Sequence, residues 1–232
     1  MINIDDIITY LDSSIVVVNK PSGLRTIPDG YNQEIINLQS LLKSRFPNLL
    51  TVHRLDKETS GLIIFALNNQ SHRFLSTLFE QRKVQKRYYT ITHSIPDWDE
   101  YIADFPLKID ADRKHRTRFH PEGKIAKTYL QKVEISLQKN LSFVIASPKT
   151  GYTHQIRAHL SHLGFPILGD TLYSNHLSNT QKALNKSVDR MMLHAFSIEF
   201  THPETDQIMI LNSEAPRSEE RRVGKECRSR WS

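Results

Sequence analysis

A succession of short apolar or alternating runs, each closed by turn residues and only sparsely interrupted by helical periodicity, sets the class of fold open to this chain. Ile15–Val18 is wholly β-branched and gives way to Asn19-Lys20-Pro21-Ser22-Gly23, a strand followed by a turn. Gly61–Ala66 is apolar after its glycine and reads as a buried strand. Lys86–Thr92, Ala126–Ile135, Leu141–Ala146, Phe196–Phe200 and Ile208–Leu211 continue the series, with Pro121-Glu122-Gly123 and His202-Pro203 among the turns that separate them. Three helices are expected. One runs from about Gln33 to Phe46, with Ile35, Ile36, Leu38, Leu41 and Leu42 apolar and Pro47 as its stop. A second covers Ser71 to Arg82, with Phe74, Leu75, Leu78 and Phe79 on one face. A third runs from Thr153, a natural N-cap, to about Leu163. Strands outnumber helices and do not alternate with them, so the class is α+β: a mainly antiparallel sheet with flanking helices, not a doubly wound one. Neither an internal repeat nor a low-complexity linker is present.

Composition narrows the setting. The 232 residues can bury a substantial core in one large domain. No run of about eighteen apolar residues exists, which excludes a membrane-spanning helix, and the start of the chain does not read as a secretion signal. A lone cysteine cannot form an intramolecular disulfide, so a reducing, cytoplasmic location is expected. The formal charge of +6 is unevenly spread. Residues 217–232 (RSEERRVGKECRSRWS) hold six Lys/Arg and three Asp/Glu, leaving 25 basic against 22 acidic residues, or +3, for the rest. That segment also contains the only cysteine and one of the two tryptophans. It reads either as a basic nucleic-acid-binding arm or as a disordered, non-native extension. The second reading is preferred, because no hydrophobic period runs through it and similar runs end unrelated chains. Domain boundaries are therefore set at 1–216 for the folded domain and 217–232 for the tail.

The densest polar cluster is Thr51-Val52-His53-Arg54-Leu55-Asp56-Lys57-Glu58-Thr59-Ser60-Gly61, directly before a buried strand. Loops at the ends of core strands are where a rigid scaffold displays reactive groups. His53, Arg54 and Lys57 surround Asp56, and neighbouring positive charge keeps a carboxylate ionised and nucleophilic. Spacing alone does not separate this from a solvated turn in which Asp56 caps backbone amides.

The string HRLDKETSGL resembles the HRLD-x-x-T-SG-L signature of the RluA family of RNA pseudouridine synthases. Further segments resemble that family in order: VNKPSGL at Val18–Leu24, Lys86-Arg87-Tyr88, GYTHQIRAHL at Gly151–Leu160, then GFPILGD at Gly164–Asp170 with Leu193-His194-Ala195. They span about Ile7 to Pro216. The resemblance implies isomerisation of uridine to pseudouridine within structured ribosomal RNA or tRNA, the target base being flipped out of its stack. It implies catalytic roles for Asp56 as nucleophile, Tyr88 against the base, and Arg157 as the basic partner of the aspartate. Arg54 would hold the opened RNA, with His53, Thr153, His154 and Gln155 also in contact with substrate, whereas Thr59 and Ser60 fix the loop. Neither metal nor organic cofactor is needed, RNA is the partner, and a monomer with no obligatory protein partner is expected. The first strand begins within about fifteen residues of Met1, which matches compact family members that lack a preceding RNA-binding domain. One departure is Tyr152, where the family usually has arginine. Tyrosine can still stack on a base or donate to a phosphate, but RNA preference could differ.

Competing readings are weaker. His154, His159 and His162 crowd one segment, but their spacing does not put all three on one helical face, and HExxH is absent. Lys20-Pro21-Ser22-Gly23 lacks the glycine-rich P-loop form. Glu58 beside Asp56 is the sole hint of a two-carboxylate hydrolase. A non-catalytic RNA-binding module would retain basic surface while losing the aspartate or its partners, and all of these are present. The basic stretch Arg113–His120 reads equally as a phosphate-tracking loop or as a solvated turn.

Overall fold

The computed structural model describes residues 2–30 and 35–214. Along the chain run α1 (Ile4–Ile7), β1 (Ile8–Leu11), β2 (Ile15–Lys20), α2 (Leu38–Lys43), β3 (Leu50–Thr51), β4 (Ser60–Ala66), α3 (Asn69–Glu80) and β5 (Gln85–His93). There follow β6 (Glu100–Lys108), β7 (Arg118–Phe119), β8 (Lys124–Ser136), β9 (Leu141–Pro148), α4 (Gln155–His162), α5 (Asn179–Lys186), β10 (Leu193–Thr201) and β11 (Ile208–Asn212). The class is α+β, and every strand pairing described is antiparallel. Among the described residues no helix is long and apolar enough to cross a membrane. The tail assigned to 217–232 lies outside the described residues.

The chain divides into two compact units. The first comprises residues 1–86 and 195–213. Its strands follow the order β1-β2-β4-β10, with β11 on β10 and β3 on β4. β2 and β4 are buried on both faces, as their unbroken apolar runs require. Ile15, Val17, Leu62, Ile64, Ile198 and Phe200 pack with Leu75 and Leu78 of α3 into a hydrophobic cluster. α3 begins where Asn68 accepts from the Ser71 amide at 2.8 Å. Phe74 and Phe79 pack against the margin of the same cluster.

The second unit comprises residues 87–194 and 214 of the described chain. Here the strands run β5-β9-β8-β6-β7, and β8 carries an irregularity between Lys132 and Glu134. Leu107, Ala126, Ala158 and Tyr173 form a small core in which α4 lies on β6 and β8.

Two helix expectations need correcting. The first helix starts at Leu38, because Asn37 is extended (φ −138°, ψ 160°) and forms a capping box with Ser40. Ile35 and Ile36 therefore precede it, and Ile36 is 65% exposed. Residues 33 and 34 lie outside the described residues. Thr153 is not the cap of α4. That position belongs to His154, in the left-handed region at φ 55° and making no side-chain capping bond.

Gly61 fixes how closely β4 can lie beside β10. Its φ is +113°, and a Cβ there would sit 2.3 Å from the Ala195 carbonyl oxygen. Gly61→Ala is expected to destabilise the protein by about 3 kcal/mol or more, through both strain and backbone displacement. Urea unfolding of the two proteins measures the difference.

Candidate active site

The turn after β2 and the loop before β4 are held as one piece. Lys20 ends β2 opposite Gly61 of β4 and is fully buried. Its Nζ donates to the carbonyls of Pro21 (2.9 Å), Leu24 (2.8 Å) and Lys57 (3.0 Å). These three acceptors use every donor an ammonium has. Alongside it the Gly23 amide donates to the Lys57 carbonyl at 2.9 Å, and Ser22 Oγ to the Glu58 carbonyl at 2.7 Å. Thr26 grips the residue before the aspartate from both sides, its Oγ1 donating to the Leu55 carbonyl (2.8 Å) and accepting from the Leu55 amide (3.2 Å). The Asp56 carbonyl accepts from the Thr59 amide at 3.1 Å. The backbone is thus pinned at Leu55, Lys57 and Glu58, and Asp56, partly exposed, is displayed between the clamps.

Burial pushes the Lys20 ammonium down to about 8, while the carboxylates of Glu58 and Asp56 pull the other way. It is therefore cationic at neutral pH and lies within the field of Asp56. The sequence offered Lys20 only as part of the VNKPSGL segment, with no sign of this role.

His53 and Arg54 share that loop. Arg54 is exposed. The His53 ring stacks on Phe79 at 4.4 Å, and its Nε2 accepts from the Ile64 amide at 3.0 Å. Burial, with the nearby Lys86 ammonium, drives its pKa to about 3. His53 is therefore neutral at pH 7, and its Nε2 is committed to the backbone of β4.

In the second unit, Tyr88 is buried on β5 opposite Ala146 of β9. Arg157 projects from α4 and is 5% exposed. Its Nε donates to Asp170 Oδ2 at 2.7 Å and its Nη2 to Oδ1 at 3.0 Å, a bidentate pair. The same carboxylate accepts from the amides of Leu172 and Tyr173, at 2.9 and 3.1 Å. Sequence reasoning quoted Asp170 only as part of a motif; the structure makes it the group that orients Arg157. The Arg157 guanidinium also lies over the Tyr173 ring, 5.1 Å from its centroid.

The start of α4 collects the remaining residues. Gln155 is buried: its Oε1 accepts from Thr150 Oγ1 (2.7 Å) and the Tyr152 amide (3.1 Å), and its Nε2 donates to the Lys127 carbonyl (3.1 Å) and Thr128 Oγ1 (2.9 Å). Those four bonds use its whole capacity, so it holds the loop. Thr153 is exposed, with its carbonyl accepting from Thr117 Oγ1 at 2.7 Å. His154 Nδ1 lies 3.3 Å from the Tyr173 hydroxyl. His159 is buried against Thr128 at 2.9 Å, and burial lowers its pKa to about 4. His162 stacks on Phe119. The structure therefore groups Arg54 and Asp56 on one clamped loop, with His53 anchoring it. It groups Thr153, His154 and Arg157 around the head of α4.

Residues 14–162 match the family described as RNA pseudouridylate synthase. The chain is 34% identical to a tRNA pseudouridine synthase C of Haemophilus ducreyi over 223 residues, covering 89% of each. It is also 34% identical to a dual-specificity RNA pseudouridine synthase RluA of Escherichia coli, covering 90% of this chain and 93% of that one. The solved human RNA pseudouridylate synthase domain-containing protein 4 superposes with a TM-score of 0.76 at 26% identity, covering 94% and 93%. Domain-containing protein 1 gives the same TM-score at 28% identity, covering 90% and 83%. The chain belongs to the RNA pseudouridine synthase family, in its RluA branch. It is an enzyme that isomerises uridine to pseudouridine.

Two outcomes follow from these environments. Lys20→Met takes the ammonium from three carbonyls, of which that of Lys57 keeps the Gly23 amide, at about 1–3 kcal/mol for each of the other two before relief of the buried charge. A net destabilisation of about 3 kcal/mol, with turnover falling further than folded population, is expected from urea unfolding and single-turnover assays. In acid, His53 and His159 stay neutral when folded but take up protons near pH 6.5 when unfolded. Stability is therefore lost as pH falls from about 6.5 towards 4, and His53→Gln reduces the proton uptake on unfolding by about one. Unfolding curves at stepped pH report that slope.

Proposed function

We propose that residues 1–216 act together as a catalytic domain in which Asp56 is the nucleophile for uridine isomerisation in structured ribosomal RNA, tRNA or both. In this reading the target nucleotide is flipped out of the RNA, at a cost of a few kcal/mol. Asp56 adds to the sugar or the base, the N-glycosidic bond breaks and the uracil turns. Carbon 5 then bonds to the ribose, the bond to Asp56 breaks to free the carboxylate, and the proton lost from carbon 5 is matched by one gained at the freed ring nitrogen. Tyr88 packs on the base and assists that proton transfer, while Arg157 is the cationic partner of the aspartate. Arg54 holds the opened RNA, with Thr153 and His154 as further contacts and His53 and Gln155 keeping both loops in shape. The enzyme works in the cytoplasm as a monomer, with no metal, organic cofactor or obligatory protein partner.

The observation that carries this reading is the clamping of Leu55, Lys57 and Glu58, which leaves Asp56 held but partly exposed beside a buried cation. A carboxylate on an immobilised loop is ready to attack without further ordering. The tRNA named for one relative and the dual specificity named for the other support the choice of substrates.

Transcripts carrying uridine tritiated at carbon 5 test the assignment. Wild-type protein is expected to release tritium from tRNA or ribosomal RNA, and Asp56→Asn to release it about a thousandfold more slowly or not at all. Undiminished release by Asp56→Asn would remove the aspartate from the chemistry. Free uracil as the product would indicate hydrolysis in place of isomerisation.

A further inference from the structure

The basic stretch Arg113–His120 builds one wall of a cavity that no step of the proposed chemistry uses. The cavity has a volume of about 330 Å³ and lies wholly in the second unit, lined by Arg116, Arg118, Phe119, His162, Tyr173 and His176 among others. That size is at the lower end of ligand pockets, which run from about 300 to 1,000 Å³.

One side is an aromatic shelf. Phe119 is 42% exposed on the two-residue strand β7, and His162 of α4 stacks on it at 4.7 Å with 21° between the rings. Phe105 supports Phe119 edge-on at 5.9 Å. The other side is cationic. Arg116 and Arg118 share a single carboxylate, Asp112, at 2.7 and 3.0 Å, so two guanidiniums are balanced by one negative charge. Arg116 is buried and fixed, whereas the Arg118 side chain is 49% exposed and can turn to an incoming anion. The wall between them is rigid: the Tyr173 hydroxyl accepts from the Thr117 amide at 2.8 Å and donates to the Thr117 carbonyl at 2.9 Å.

A stacking surface beside surplus positive charge is the chemistry that takes an unpaired nucleotide, the base on the ring and the phosphate on the guanidinium. Tyr173 also joins this cavity to Arg157. Its hydroxyl builds the cavity wall, and its ring carries the Arg157 guanidinium. We infer that this cavity is a subsite for a second, unpaired nucleotide of the RNA, close along the strand to the target uridine, with its base on the Phe119–His162 shelf and its phosphate on Arg118. The inference rests on the RNA-modifying reading above. It adds a specificity determinant, because only RNA able to release a second base at the right spacing would fill both places.

The test uses the full chain and a tRNA or ribosomal RNA transcript that the wild type turns over. Phe119→Ala and Arg118→Ala are each expected to raise KM about tenfold, the loss falling more on KM than on kcat. Arg118→Ala should also reduce the slope of log affinity against log salt by about 0.7. Lys182→Ala, on α5, serves as the charge control and should match wild type. Removing single bases near the target should then reveal one position whose loss costs the wild type about tenfold and costs Phe119→Ala nothing more. Unchanged KM in both variants, or abasic penalties identical in wild type and Phe119→Ala, would overturn the subsite. A wild type that releases no tritium from any RNA fails the catalytic reading itself, a result distinct from either.

Discussion

The ammonium of Lys20 is the interaction on which the first unit's geometry depends. Burying a cation is unfavourable unless each donor is satisfied, and here all three N–H groups end on carbonyls of the two segments that must be brought together. Two of those carbonyls, at Pro21 and Leu24, shape the turn after β2, and the third, at Lys57, belongs to the residue after Asp56. A neutral or shorter side chain cannot reach all three. Since the lysine ends a strand whose neighbour across the pairing is Gly61, its position is set by the sheet. The loop that carries Asp56 inherits the rigidity of the core and not the mobility of a surface turn.

The second unit reaches a similar end by another route. Arg157 is buried, and Asp170 meets it with two parallel bonds. A bidentate pair fixes the plane of a guanidinium as well as its position, which a lysine could not provide. Asp170 is in turn held by two amides. Both units thus spend a buried charge on orientation. Such pairs contribute little net stability, so their value lies in geometry. The histidines extend the pattern, since burial keeps His53 and His159 neutral and lets them serve as packing groups with one polar anchor each.

The fold was legible where burial is two-sided or strictly periodic. β2, β4 and α3 were within two residues of their sequence-based bounds, because unbroken β-branched runs and a helical apolar face leave few alternatives. β6 was missed: Glu100, Asp104 and Pro106 interrupt its apolar pattern, and its pairing with β8 and β7 is what makes it a strand. α5 was missed because none of its residues is buried, although Ser178 and Gln181 form a capping box that the sequence does contain. The α4 cap was misplaced because a threonine is the better intrinsic cap, whereas the backbone turns into the helix through a left-handed His154. The motifs drew attention to Asp56 and Arg157, which the structure places on a pinned loop and in a buried bidentate pair. Lys20 and Asp170 were not singled out, because a residue that acts by holding another leaves no signature of its own chemistry.

Tyr152 illustrates how local electrostatics can stand in for a motif residue. The body carries a net charge of only +3, so attraction to RNA cannot be a property of the whole surface and must come from clusters. Where the family usually has arginine, this chain has a ring with the Lys124 ammonium 5.9 Å from its centroid. A cation over a tyrosine face at that distance is held by the ring's quadrupole. β8 thus brings a positive charge to the Tyr152 ring, without the planar two-donor fork of a guanidinium. An ammonium there acts as a point charge, whereas the guanidiniums of Arg116 and Arg118 keep their planar fork and are oriented by the one carboxylate of Asp112.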